Sequence, residues 1–403
     1  MISLKTNGCP GYLRFKASDD GETLQLVAKN LNHNHELKLP IKKSKSLIYN
    51  SYKPRQKKTT FENMDAVNTH EPKEEYEILE GSSEKEIAYA IQDEKLDFEF
   101  FKYQGLIAPV FTPFNDDLSR SLNLEILPVY AQYLIDNGLS GVLVNGTTGE
   151  GPSMTVAERK LVTEVWSQLC VQGQLHLMVQ VGGAPLPDVL DLVQHAEQNG
   201  ANSILCLPEL YNKPSTCEDL MRYLQIVSQA APNTPLFYYH IPSLTNVNLH
   251  MGEFLRKMND SVPTFSGIKF TSTVLDEGYE AVTANNSKYS VFLGADGVMA
   301  GAYALGFDSS IATTLNMFSQ YGQQILQNMK DGNIKEAQQK QNDLNSAIEV
   351  ITKCGGWVRT MKTAMNLLTP LTMGPTREPI KPLTAEESKQ MENDLMGLSF
   401  ITS

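Results

Sequence analysis

The 403-residue chain has no apolar run approaching the ~20 residues needed to span a bilayer. Its first residues, Met1-Ile2-Ser3-Leu4-Lys5-Thr6-Asn7, lack the long apolar core of a secretion signal. The five cysteines (Cys9, Cys170, Cys206, Cys217, Cys354) are odd in number and widely spaced, which offers no disulfide framework and fits a reducing compartment. A cytoplasmic protein without membrane attachment is therefore expected. Positive charge is not in excess either: 34 Lys/Arg against 46 Asp/Glu leave a formal net charge of -12, which argues against a generally nucleic-acid-binding surface. His70, His176, His195 and His250 show no metal-ligand spacing and read as hydrogen-bonded or exposed side chains.

The average charge hides a sharp asymmetry. Residues 1–60 carry twelve Lys/Arg and four Asp/Glu, whereas residues 61–100 carry three and thirteen. In the basic segment, Tyr12-Leu13-Arg14-Phe15-Lys16 and Leu24-Gln25-Leu26-Val27-Ala28 flank Asp19-Asp20-Gly21, a pattern that predicts a β-hairpin. The acidic stretch that follows has few large apolar residues and reads as a linker. Three parts are expected: a small basic β-rich segment over residues 1–60, an acidic linker over 61–102, and one large domain over 103–403.

From Tyr103 onward, short β-rich runs alternate with longer amphipathic stretches, the pattern of βα units and a parallel sheet. Eight strands are predicted: Leu106–Phe111, Gly141–Val144, Leu177–Val181, Ser203–Leu207, Leu236–Tyr239, Gly267–Lys269, Ser290–Leu293 and Ser309–Ile311. Helical periodicity between and after them includes Val156–Gln172, Asp188–Gln198, Glu218–Ala231, Phe318–Met329, Asn333–Ile351, Trp357–Leu368 and Ala385–Leu395. This predicts an α/β fold, a (β/α)8 TIM barrel of roughly 250 residues with a C-terminal helical extension. A doubly wound open sheet is the alternative, because periodicity does not say whether a parallel sheet closes.

In a barrel, the C-terminal strand ends form the reactive face. Two predicted strands end in unusual residues, Lys269 in Gly267-Ile268-Lys269 and Tyr239 in Phe237-Tyr238-Tyr239. A lysine and a tyrosine on neighbouring strands can converge on one carbonyl group and perform Schiff-base chemistry; a strand-end lysine is otherwise a solvated terminus. The loop Asn145-Gly146-Thr147-Thr148-Gly149-Glu150-Gly151 follows the second strand. Its backbone N–H groups and threonine hydroxyls can bind a carboxylate, or it is an ordinary strand-to-helix turn.

Together these segments resemble the pyruvate-dependent class I aldolases, the family of N-acetylneuraminate lyase and dihydrodipicolinate synthase. The resemblance rests on Ala108-Pro109-Val110-Phe111-Thr112-Pro113-Phe114, Gly146-Thr147-Thr148-Gly149-Glu150, Tyr239-His240-Ile241-Pro242 and Gly267-Ile268-Lys269, in that order, and spans Gly105 to Leu398. It implies that Lys269 forms a Schiff base with the keto group of pyruvate, that Tyr239 relays protons, and that Thr147 and Thr148 hold the pyruvate carboxylate. Tyr211 resembles the second relay tyrosine of some members; a packing or subunit-contact aromatic is the other reading. No metal or other cofactor is implied, and a homotetramer is.

Within the family the lyase branch is favoured. Leu244 stands in Pro242-Ser243-Leu244-Thr245 where the synthases carry an arginine for a second carboxylate. By the same resemblance, Thr271, Gly294, Asp296 and Thr313 contact the sugar end, implying cleavage of N-acetylneuraminate to pyruvate and N-acetylmannosamine. Three positions depart from the lyases. Gly297 replaces the acidic residue usual after the aspartate, and Ala312-Thr313 replaces the usual Gly-Ser. An aldolase for another 2-keto-3-deoxy sugar acid is therefore an alternative.

The N-terminal segment resembles the Cys/His half of transposase-type zinc modules, through Gly8-Cys9-Pro10-Gly11-Tyr12-Leu13 and His33-Asn34-His35-Glu36-Leu37. Cys9, His33 and His35 supply three ligands where a structural zinc site needs four, so a truncated module is expected. A DNA-binding protein carrying an inactive barrel is the alternative from another class.

Overall fold

Most strands of the large domain are largely apolar because both of their faces are covered. In Gly141–Val144, Leu143 packs inside the barrel among Ile107, Met178, Leu205, Phe237, Phe292 and Ile311. Its neighbours Val142 and Val144 point outward into the helix-facing core. A period of two with both faces buried leaves few polar positions, which is why most of these runs read as continuous hydrophobic stretches.

A computed structural model describes residues 101–258 and 262–401, together with the backbone of four short strands nearer the start. Those strands, β1 (Ile2–Lys5), β2 (Tyr12–Ala17), β3 (Leu24–Lys29) and β4 (Ile48–Tyr49), form one sheet in the order β1-β2-β3-β4. Strands β2 and β3 pair antiparallel from Tyr12↔Lys29 to Ala17↔Leu24, at the hairpin the sequence predicts. Cys9, His33, His35, the basic run Lys42–Lys45 and the acidic stretch around Glu71–Glu86 lie outside the described residues. The chain divides into two units, Met1–Asp97 and Phe98–Ser403.

In the second unit, β5 (Gly105–Pro109), β6 (Gly141–Val144), β7 (His176–Gln180), β8 (Ser203–Cys206), β9 (Leu236–His240), β10 (Phe265–Phe270), β11 (Ser290–Leu293) and β12 (Ser309–Ile311) pair in parallel, each with its neighbour in sequence. The circuit closes through Ser309↔Gly105 and Ile311↔Ile107, which decides for a barrel over an open doubly wound sheet. Around it lie α1 (Leu127–Asp136), α2 (Val156–Gly173), α3 (Leu186–Gln198), α4 (Cys217–Ala230), α5 (Pro242–Thr245), α6 (Met251–Met258), α7 (Leu275–Ser287), α8 (Met299–Ala304) and α9 (Leu315–Lys330). The C-terminal extension is α10 (Ile334–Thr352), α11 (Trp357–Leu368) and α12 (Ala385–Met396). Helix α2 starts in a capping box, with Thr155 accepting from the Glu158 N–H and Glu158 accepting from the Thr155 N–H.

Strand β10 is longer than the predicted Gly267–Lys269 because register shifts between Phe265 and Gly267. At that bulge Gly267 has φ 151°, and a Cβ there would lie 1.9 Å from the Ser290 carbonyl oxygen. Only glycine fits, and the bulge precedes Lys269 by two residues. Where other boundaries differ from expectation, they do so by one to three residues at element ends, where hydrogen bonding rather than periodicity sets the limit.

Candidate active site

Parallel register places Lys269 of β10 opposite Tyr239 of β9. Both side chains turn into the barrel, where Lys269 is 4% exposed and Tyr239 2%. The Lys269 Nζ donates to the Tyr239 hydroxyl at 3.0 Å and lies 4.2 Å from the centre of its ring. A buried amine thus has an acid–base hydroxyl as its hydrogen-bond partner, and the same hydroxyl lies 3.2 Å from Thr147 Oγ1.

The Thr147-Thr148 loop is held at both ends by residues in the left-handed region, Asn145 (φ 58°) and Glu150 (φ 53°). Asn145 Nδ2 donates to the Arg159 carbonyl and to Thr163 Oγ1, each at 3.0 Å. Glu150 accepts from Lys362 Nζ at 2.7 Å and from the Arg377 backbone N–H at 2.8 Å. Lys362 also donates to the Thr112 carbonyl at 2.8 Å. Burial pushes Lys362 down to about 8, against the opposing attraction of Glu150. A turn so heavily braced is pre-organised for a ligand, since the cost of ordering it falls on folding and not on binding.

Thr148 Oγ1 lies 2.8 Å from Thr313 Oγ1, which accepts from Trp357 Nε1 at 3.1 Å. Asp296, buried in the turn after β11, accepts from the Thr314 N–H at 2.7 Å, and desolvation raises its carboxyl above the usual carboxylate range. Thr271 Oγ1 is buried without a hydrogen-bond partner among the described residues. Gly294 makes room for it, because a Cβ at Gly294 would fall 2.0 Å from that oxygen.

The fold therefore gathers Lys269, Tyr239 and Thr147 into one hydrogen-bonded group, and Thr148 and Thr313 into another. Tyr211 stands apart: on the loop after β8 it is 90% exposed and outside both groups. Two contributors were not anticipated from the residues alone. Trp357 opens the predicted helix Trp357–Leu368 and Lys362 lies within it; the available signal is that Lys362 falls in helical register with Val358 and Met365, on an apolar face. Elsewhere, a cavity of about 410 Å³ opens where the strands begin, lined by Ser140, Cys170 and His176, at the opposite end from Lys269. Among the described residues no group of three or more His, Cys, Asp or Glu is placed to hold a metal ion, and no helix is long and apolar enough to cross a membrane.

A buried lysine with a hydroxyl partner at the C-terminal mouth of a parallel barrel is the equipment of a class I aldolase, a carbon–carbon lyase. Residues 102–397 match the dihydrodipicolinate synthetase family, and the chain belongs to that family. It is 32% identical over 303 residues to the N-acetylneuraminate lyase of Pongo abelii, covering 75% of this chain and 94% of that protein. Among solved structures, the N-acetylneuraminate lyase of Aliivibrio salmonicida matches with a TM-score of 0.70 at 32% identity, covering 75% of this chain and 99% of the other. The Proteus mirabilis N-acetylneuraminate lyase matches with a TM-score of 0.70 at 30% identity, over 74% and 100% of the two chains.

Proposed function

We propose that the protein is a Schiff-base-forming lyase that cleaves N-acetylneuraminate reversibly to pyruvate and N-acetylmannosamine. The observation that carries this reading is the 3.0 Å contact between Lys269 Nζ and the Tyr239 hydroxyl inside the barrel. Lys269 adds to the C2 keto carbon, water leaves, and the resulting iminium draws electrons from the neighbouring carbons. Tyr239, having given its proton to the departing water, takes the C4 hydroxyl proton, the C3–C4 bond breaks, and its electron pair forms the enamine on Lys269. Protonation at C3 and hydrolysis release pyruvate and restore the amine. Thr147, hydrogen-bonded to Tyr239, stabilises the phenolic oxygen as it changes charge. Thr147 and Thr148 receive the carboxylate, with Thr313 beside Thr148; Thr271, Gly294 and Asp296 face the sugar. Tyr211, the second relay tyrosine by resemblance, is exposed on its loop and outside the hydrogen-bonded group of Lys269, Tyr239 and Thr147.

Intact mass after pyruvate and sodium borohydride tests the reaction class, and pyruvate release from N-acetylneuraminate tests the substrate. A pyruvate adduct on Lys269 without turnover of N-acetylneuraminate rejects that substrate and retains the aldolase. The second reading, an aldolase for another 2-keto-3-deoxy sugar acid, is favoured by Gly297, where no carboxylate is available for polyol hydroxyls. Relative turnover across a panel of such acids separates the two.

We further propose a cytoplasmic homotetramer in which residues 103–403 are the catalytic part, residues 61–102 a linker, and residues 1–60 a segment independent of catalysis. The unpaired cysteine pattern supports the location, and family membership supports the assembly. Sedimentation of the purified chain tests the oligomeric state.

A further inference from the structure

We propose that Trp357 is a positioning residue that heads a chain of donors ending on the substrate carboxylate, an inference that rests on the reading of Thr148 as a carboxylate ligand. An indole N–H donates and never accepts, so at 3.1 Å it occupies a lone pair of Thr313 Oγ1. Thr313 in turn lies 2.8 Å from Thr148 Oγ1. An anion at the Thr147-Thr148 loop takes the Thr148 proton, so Thr148 must accept from Thr313. The Thr313 proton is thereby committed, and its oxygen is free to accept from Trp357. All three links then run in one direction, from indole to hydroxyl to hydroxyl to carboxylate, and each donor polarises the next.

Thr313 is consequently recruited to the carboxylate end and has no proton left to donate to the sugar. In this chain its hydroxyl selects for the acid group shared by every 2-keto acid and does not read the polyol. Helix α11 supports this function twice. Trp357 at its first turn acts on Thr148 through Thr313, and Lys362 further along pins Glu150 at the far end of the same loop. A C-terminal helix outside the barrel proper thus determines the hydrogen-bond direction within the anion site.

The test uses the full chain and two ketone probes, pyruvate and acetone, which form the same iminium but differ in the carboxylate. Half-saturating concentrations for borohydride trapping on Lys269 are measured for wild type, Trp357→Phe, Thr313→Val and the double variant. Trp357→Phe keeps an aromatic ring and deletes the N–H together with part of the indole, a loss of bulk that falls on both ketones alike and cancels in their ratio. The preference for pyruvate over acetone should fall about 3- to 10-fold in each single variant, the range of one neutral hydrogen bond, and the double variant should be no worse than Thr313→Val alone. An unchanged preference, an equal shift for both ketones, or additive losses would overturn the proposal. If the wild type itself forms no adduct with either ketone, the aldolase reading falls and takes this proposal with it.

Discussion

Lys269 and Tyr239 are paired residues on adjacent parallel strands, and the amine of one donates to the hydroxyl of the other at 3.0 Å. Because both belong to strands whose other neighbours are also paired, neither can change its direction without breaking the sheet. Their separation is set by the spacing of parallel strands, roughly 4.8 Å between backbones, so reach and orientation are built into the scaffold.

Lys269→Ala should abolish the borohydride adduct with pyruvate, whereas Tyr239→Phe should retain an adduct and lose about 10²- to 10⁴-fold in turnover, the range for a positioned acid–base group. Mass spectrometry and steady-state kinetics on the two variants check this. An adduct persisting in Lys269→Ala would remove the lysine from its assigned role.

The buried ion pair between Lys362 and Glu150 should make Lys362→Met strongly destabilising, by about 3–5 kcal/mol, because a buried carboxylate loses its partner. Adding Glu150→Gln should recover part of the loss. Denaturant unfolding of the single and double variants measures both effects; a single variant as stable as wild type would contradict the pairing.

Stability should decline as pH falls from about 6.5 to about 4. Burial pushes His176 and His240 down to about 4, with His250 adding repulsion at His240, whereas unfolded histidine titrates near 6.5. Between these values the unfolded chain binds more protons than the folded one, so acid favours unfolding, by an amount on the order of a few kcal/mol in total. Urea midpoints across this window test the sign. His176→Gln, which preserves a polar partner for Ser203, should flatten the dependence.

Gly294→Ala should raise KM for the sugar acid while leaving pyruvate trapping measurable, since its Cβ would displace the Thr271 side chain. Gly297→Glu should do the reverse for polyol substrates and lower their KM by roughly tenfold. A Cβ at Gly297 meets only Asn345 Oδ1, at 3.5 Å, so the added side chain has room. Initial rates across the sugar-acid panel decide both, and an unchanged panel for Gly297→Glu would place position 297 outside the sugar contacts.

Much of the scaffold was legible before the fold was known. Three strands, Gly141–Val144, Ser290–Leu293 and Ser309–Ile311, have the predicted limits, because short apolar runs bounded by turn residues are local features. Lys269 and Tyr239 were legible as polar residues ending such runs. The extra residues of β10 were hidden because a bulge at Gly267 depends on the Ser290 carbonyl of the neighbouring strand. Tyr211 illustrates the opposite case: its motif is local, but its exposure depends on how the loop after β8 leaves the barrel.

The sequence by itself determined the order of the eight βα units, the family, and which residues could supply the amine and the hydroxyls. Those properties follow from periodicity and from motifs a few residues long. Only the tertiary structure decided that Thr148 meets Thr313, 165 residues away, and that Trp357 and Lys362 of α11 brace opposite ends of one loop. No local pattern encodes such contacts, because they come into being only when β12 pairs with β5 and closes the barrel.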